Sequence, residues 1–158
     1  METFAFNWEQ IVVDFIRVAL SFILAAPLAW ERIHGSRSLG LRTFPIVAIA
    51  SCGYMLVAKS LAGGDTEAQG RVLQGLLTGI GFIGGGAILK QGIDVRGLAT
   101  AASIWNTGAI GAAVALEREE IGLVLSLINF LALYFLTPLA NQIKPDLHDA
   151  SADEADHE

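Results

Sequence analysis

Five long apolar stretches constrain this chain more than any other feature of its sequence. They cover residues 11–30, 43–62, 72–89, 98–116 and 121–143. A helix needs about 20 mostly apolar residues to cross a bilayer, and it satisfies its own backbone hydrogen bonds in lipid. Five segments of this length are too few and too long for a closed β-barrel. The sequence therefore predicts an all-α integral membrane protein, built as a bundle of five transmembrane helices.

The charged residues are few and unevenly distributed. Only 16% of residues are charged and 53% are hydrophobic, whereas a soluble domain carries about 25% charge. The net charge of −6 comes from the last residues, because 146–158 hold six acids and no Lys or Arg. We predict a membrane domain over residues 1–144 and an acidic, disordered tail over 145–158. The sequence lacks the basic stripe that would indicate nucleic-acid binding.

The basic residues also predict an orientation. One set of loops carries six of them: Arg32, Arg37, Arg42, Lys90, Arg96 and Lys144. The opposite loops carry three: Lys59, Arg71 and Arg118. Cytoplasmic loops are enriched in Lys and Arg, so the amino terminus is predicted to be periplasmic and the carboxy terminus cytoplasmic.

The third apolar stretch is unusually rich in glycine. Its glycines are Gly75, Gly79, Gly81, Gly84, Gly85 and Gly86. Small residues at GxxxG spacing let membrane helices approach closely, so we interpret them as helix-packing residues that would also suit a homodimer. A second interpretation is local unwinding at residues 84–86, as in the broken helices of ion sites. The run GIGFIG resembles a dinucleotide fingerprint, but no strand precedes it and no acid follows at the required distance.

Four polar side chains are predicted to lie at membrane depth. Asp14 and Arg17 are three residues apart in the first helix, a spacing that allows them to pair. Alternatively, Arg17 faces the bundle and contacts a ligand or a neighbouring helix. Asn106 and Asn129 are predicted to bond between helices, and a permeation path is the alternative.

A mixed-charge cluster is predicted at the cytoplasmic ends of the helices. Its members are Glu31, Arg32, Arg42, Asp94 and Arg96. They come from the loop between the first two helices and the loop between the third and fourth. Their mixed signs favour a docking surface or a structural link between the two loops over charges that only set orientation.

Catalytic and metal-binding patterns are absent from the sequence. It has no Ser-His-Asp order, P-loop or HExxH motif. Its histidines, His34, His148 and His157, lack the spacing of metal ligands. The sequence therefore predicts a protein that is not an enzyme, with no catalytic residues, no cofactor and no metal site.

Several of these motifs together resemble the membrane domain of the MgtC/SapB family, over nearly the whole chain to about residue 143. The matching blocks are Arg17, ER at residues 31–32, GLRT at 40–43, GIGFIGGG at 79–86, VRGL at 95–98 and TAASIW at 100–105. Their order and spacing make the resemblance specific. Longer members add a folded cytoplasmic domain, so the resemblance is to a short form with the membrane domain only.

The resemblance implies a multi-pass regulatory protein of the bacterial inner membrane. It implies roles in adaptation to low Mg²⁺, in survival inside host phagocytes (virulence) and in control of membrane potential. The F-type ATP synthase or another membrane protein is the implied partner, beside the lipid bilayer itself. The alternative function is a small ion or solute transporter for Mg²⁺ or a proton-linked substrate, with Asp14, Arg17 and Asn106 lining its path.

Overall fold

The structure, a computed structural model, describes residues 7–34, 41–91 and 94–155. For residues 32–34, 91, 94 and 140–155 only the backbone is described. The elements in chain order are α1 (Trp8–His34), α2 (Thr43–Ala62), α3 (Thr66–Gly86), β1 (Leu89–Gln91), β2 (Asp94–Arg96), α4 (Leu98–Ala115) and α5 (Glu119–Ala155). The predicted all-α membrane architecture with five helices is confirmed.

Four of the described helices are long and apolar enough to cross a membrane, namely α1, α2, α4 and α5. The exception is α3, because its glycines, Arg71 and Gln74 dilute its apolar residues. It also begins earlier than predicted, since the Asp65 carboxylate accepts hydrogen bonds from the backbone N–H groups of Glu67 and Ala68 at 2.9 and 3.2 Å. Such a cap satisfies amides that the helix leaves free.

The helices form a bundle with two distinct ends. We call the end where α1 begins and α2 and α4 finish the amino-terminal end, and the other the hairpin end. Strands β1 and β2 form an antiparallel pair at the hairpin end, with Leu89 opposite Arg96. Strands of three residues are too short to show an alternating pattern, so the sequence did not predict them. Which end faces the periplasm stays a prediction.

Helix α4 is the centre of the bundle and packs against all four other helices. Of its apolar span 61% is buried, compared with 17% for α5. Glycines allow this close packing, because a Cβ at Gly111 would lie 2.1 Å from the carbonyl oxygen of Ala48 in α2. Gly97 precedes α4 with φ +92°, and a Cβ there would lie 2.1 Å from the Ala87 carbonyl oxygen.

The backbone of α5 continues to Ala155. The helical backbone over residues 145–155 differs from the disordered tail that the sequence predicts for 145–158. The reason is that Ala, Leu, Asp and Glu can extend a helix already nucleated by the preceding apolar turns. Residues 156–158 lie outside the described part of the chain.

Candidate functional site

The best-defined polar site lies at the amino-terminal end of the bundle. A guanidinium nitrogen of Arg17 donates to Oε1 of Glu117 at 2.5 Å, and Nζ of Lys59 donates to the same oxygen at 2.6 Å. The three residues come from α1, the α4–α5 connection and α2. Arg17 is separated from Glu117 by 100 positions in the sequence. We call this group the Glu117 triad, and it joins three parts of the fold through one carboxylate oxygen.

Glu117 has a backbone conformation that L-residues rarely adopt. Its φ is +60°, and it is the one non-glycine residue with positive φ in the described part of the chain. It follows the end of α4, where a left-handed residue commonly ends a helix and glycine is preferred. Non-glycine residues in this region carry about 1–3 kcal/mol of strain, and strained residues cluster at functional sites. The fold therefore holds Glu117 in place against an unfavourable backbone conformation.

The triad also changes the acidity of its carboxyl group. The hydrogen bond and charge of Lys59, followed by the charge of Arg17, hold the pKa of Glu117 below its ordinary value of 4.5. Both cations favour the ionised carboxylate. The side chain of Glu117 is 55% exposed, whereas that of Arg17 is only 18% exposed. The carboxylate therefore reaches inward from the surface to a largely covered guanidinium.

A cavity of about 390 Å³ opens beside the triad. The triad residues line it together with polar and apolar neighbours: Gln10, Val13, Asp14, Leu56 and Ser60. Within it, Gln10 Nε2 donates to the Asp14 carboxylate at 2.9 Å. Asp14 thus accepts from Gln10 while Arg17 pairs with Glu117, so the i,i+3 spacing of Asp14 and Arg17 did not identify the partner of either residue.

The predicted cytoplasmic cluster lies at the hairpin end but is only partly described. The side chains of Arg32 and Asp94 lie outside the described part of the structure. Glu31 is half-buried, whereas Arg42 and Arg96 are exposed. Arg96 lines a groove of about 520 Å³ between the start of α4 and α5. A docking role for the cluster stays a prediction.

The two predicted asparagines connect α4 and α5. Asn106 Nδ2 donates to the carbonyl oxygen of Leu125 at 3.3 Å. The Ser103 hydroxyl donates to Asn129 Oδ1 at 3.4 Å. Asn106 is not among the residues that line the cavity of Asp14 and Arg17. The structure therefore does not bring together the three residues of the proposed transport path.

The glycines of α3 mostly face open space within a single chain. Only Gly84 meets a neighbouring helix, because a Cβ there would lie 3.3 Å from the carbonyl oxygen of Ala101. The other six would meet nothing within 4 Å among the described residues: Gly70, Gly75, Gly79, Gly81, Gly85 and Gly86. Within one chain they leave a surface uncovered. The helix itself is continuous through Gly86, so the predicted local unwinding of residues 84–86 is not observed.

An apolar groove of about 560 Å³ runs between α2 and α3 along part of this surface. Gly75 and Gly79 lie along its α3 side, and Tyr54 and Ser51 line it from α2. Ser51 is only 1% exposed, and its hydroxyl oxygen has no hydrogen-bond partner among the described residues. Buried hydroxyl groups in proteins are normally hydrogen-bonded. This groove, which we call the α2–α3 groove, thus combines a small-residue wall with an unused polar group.

Within the described ranges, no group of three or more His, Cys, Asp or Glu residues is placed to hold a metal ion.

The sequence analysis counted Lys59 only as a loop charge and did not identify Glu117 as a site residue. One signal could have found them. A largely covered Arg17 needs a carboxylate from the same end of the bundle, and three glutamates flank Arg118 where α4 gives way to α5.

The similarity of this chain to known proteins covers its membrane-spanning region. A model of the MgtC family matches residues 18–142. The chain is 38% identical over 104 residues to Protein MgtC of Brucella abortus, covering 66% of this chain and 43% of the relative. It is 33% identical over 129 residues to Protein SrpB of Synechococcus elongatus, covering 74% and 71%.

Protein MgtC of Salmonella typhimurium is 30% identical over 128 residues, which cover 81% of this chain and 54% of the relative. The chain thus spans about half of the length of the MgtC proteins it matches. No solved structure matches the chain.

Proposed function

The chain belongs to the MgtC family, and on that premise we propose that it is a non-enzymatic regulatory protein of the bacterial inner membrane that acts by binding another membrane protein. The observation that carries this proposal is the α2–α3 groove. It is a long apolar depression with a glycine wall, open along the side of a multi-pass membrane protein. This shape suits a transmembrane helix of a partner.

The composition of α3 supports a protein partner over lipid alone. Gln74 is exposed on this helix, and the helix lacks the apolarity of the four spanning helices. Polar groups that face lipid are costly, whereas a partner helix can satisfy them by hydrogen bonds. Glycines at i and i+4 bring a partner backbone close, and Gly75 and Gly79 have this spacing along the groove.

The resemblance suggests which partner and process to test. We propose the F-type ATP synthase as the partner, with control of membrane potential as the consequence of binding. Adaptation to low Mg²⁺ and survival inside host cells are the physiological settings proposed for this control. In this proposal regulation needs contact with the partner and no transported ion.

Photo-cross-linking in native membranes tests the proposal directly. A photoreactive amino acid replaces Val72 or Ile83, two residues that line the groove. The same chain then carries Gly79→Leu, which fills the groove from α3. Gly53→Leu in α2 is the matched control, because a Cβ at either glycine meets nothing within 4 Å in the single chain and Gly53 does not line the groove.

We expect cross-links to a subunit of the ATP synthase that Gly79→Leu abolishes and Gly53→Leu preserves. Growth at low Mg²⁺ should fail in the same variant only. Both variants should insert and retain their helical circular dichroism. Cross-links confined to lipid, or a protein cross-link that survives Gly79→Leu, would show that the groove is not the docking surface.

A further inference from the structure

The Glu117 triad has the geometry of an occupied oxyanion site. Two cationic groups from different helices donate to a single carboxylate oxygen, at 2.5 Å from Arg17 and 2.6 Å from Lys59. Charge-assisted bonds of this length mark a point where a negatively charged oxygen is strongly favoured. Any oxyanion that reaches this point with an oxygen could use the same two donors.

Glu117 is suited to leave that point. It lies in the short connection between α4 and α5, and its side chain is 55% exposed. A rotation of its side chain towards water would release both donors, and water solvates an exposed carboxylate well. By contrast, Arg17 and Lys59 belong to helices and stay beside the cavity.

The charge and polarity of the cavity beside the triad suit a phosphodiester. With Glu117 turned away, the charged groups that line it are Arg17, Lys59 and Asp14, with a formal sum of +1. That sum suits a phosphodiester, which carries one negative charge. Gln10 and Ser60 add neutral polar groups, and Val13 and Leu56 form an apolar wall. An amphipathic lining of this kind fits a phosphate joined to a glycerol backbone and acyl chains.

We propose that Arg17 and Lys59 form a binding site for the phosphodiester of an anionic phospholipid, and that Glu117 occupies this site when no lipid is bound. The site lies at the membrane depth expected for lipid headgroups. Lys59 lies three residues before the end of α2 at Ala62, and Glu117 lies two residues after the end of α4 at Ala115. Headgroup phosphates lie at the ends of spanning helices, where Lys and Arg side chains attract anionic headgroups. This site is separate from the α2–α3 groove, so the inference does not rest on the proposed function.

Lipid binding to the full chain in nanodiscs, counted by native mass spectrometry, tests the proposal. The probes are phosphatidylglycerol, phosphatidylcholine and, as a source of free oxyanion, inorganic phosphate in solution. Lys59→Met keeps the apolar stem of the side chain and removes one donor, and Lys59→Arg restores a donor. Glu117→Gln removes the competing charge. Arg71→Gln is the matched control, because Arg71 lies at the same end of the bundle, is 70% exposed and pairs with Glu67.

We expect Lys59→Met to weaken phosphatidylglycerol binding about fivefold, the contribution of one basic residue near an anionic headgroup. Glu117→Gln should strengthen binding, Lys59→Arg should restore the binding that Lys59→Met loses, and Arg71→Gln should leave it unchanged. Phosphatidylcholine should bind weakly in every variant.

Binding of inorganic phosphate with the same dependence on Lys59 would support the oxyanion site and identify a soluble source in place of lipid. If neither probe responds to Lys59→Met or Glu117→Gln while both variants remain folded, the triad is only a structural link and the proposal is wrong. A negative result here would leave cross-linking at the α2–α3 groove unaffected.

Discussion

The packing of α4 on α2 predicts a large effect from a very small substitution, Gly111→Ala. The added Cβ would lie 2.1 Å from the carbonyl oxygen of Ala48, and 3.0 Å from the backbone nitrogen of Cys52. Ordinary contact begins at 3.4 Å, so the two helices would have to separate by roughly 1.3 Å at this point. The contacted atoms are backbone and cannot rotate away as a flexible side chain would.

We expect Gly111→Ala to lower the free energy of unfolding by about 1–3 kcal/mol, the usual cost of overpacking a core. This loss should exceed the gain of about 0.5–1 kcal/mol that alanine brings in helix propensity. Gly53→Ala isolates that gain, because its Cβ meets nothing within 4 Å. Titration from mild detergent into dodecyl sulfate, followed by far-ultraviolet circular dichroism, measures both variants. If Gly111→Ala were as stable as Gly53→Ala, the close approach of α2 and α4 would be refuted.

Three further predictions follow from other sites. Because the triad lowers the folded-state pKa of Glu117, its stabilising contribution should be complete above the ordinary pKa of 4.5 and lost as the pH falls through the lowered value. Melting temperatures of the wild type and Glu117→Gln should therefore converge in acid, and a constant difference at all pH values would contradict this. Ser51→Ala should stabilise the isolated protein by about 1 kcal/mol, since it removes a buried hydroxyl without a partner; a loss of stability in the same titration would show that the hydroxyl is satisfied. Purified protein in liposomes should pass no Mg²⁺, K⁺ or H⁺ under a gradient, and sustained flux above that of empty vesicles would favour the transporter.

The lengths of the apolar stretches and the polar residues between them were enough to predict the spanning helices. The predicted bounds of α2 coincide with Thr43–Ala62 in the structure, and α4 begins at the predicted Leu98. The start of α3 was missed because it depends on a capping carboxylate outside the apolar run. The glycine pattern predicted close packing but could not say which glycines face a neighbour. In the structure Gly111 of α4 makes the close approach, whereas Gly75 and Gly79 of α3 remain uncovered.

The candidate site was less predictable because its partners are distant in sequence. Arg17 stood out as a charge at membrane depth, but its partner Glu117 is 100 residues away. The local spacing allowed pairing with Asp14, which instead accepts from Gln10. Helical periodicity places side chains on a face of one helix and does not reveal which loop closes over that face. Only the tertiary fold shows which loop covers that face.

The distance along the chain between Arg17 and Glu117 has a consequence for synthesis. Ribosomes add about 5–20 residues per second, so Arg17 emerges roughly 5–20 s before its carboxylate partner. During that interval α1 enters the membrane without Glu117, so the Arg17 guanidinium must pair with Asp14 in the same helix or extend to the lipid headgroups. Glu117, 100 residues further along the chain, then replaces this first interaction of Arg17.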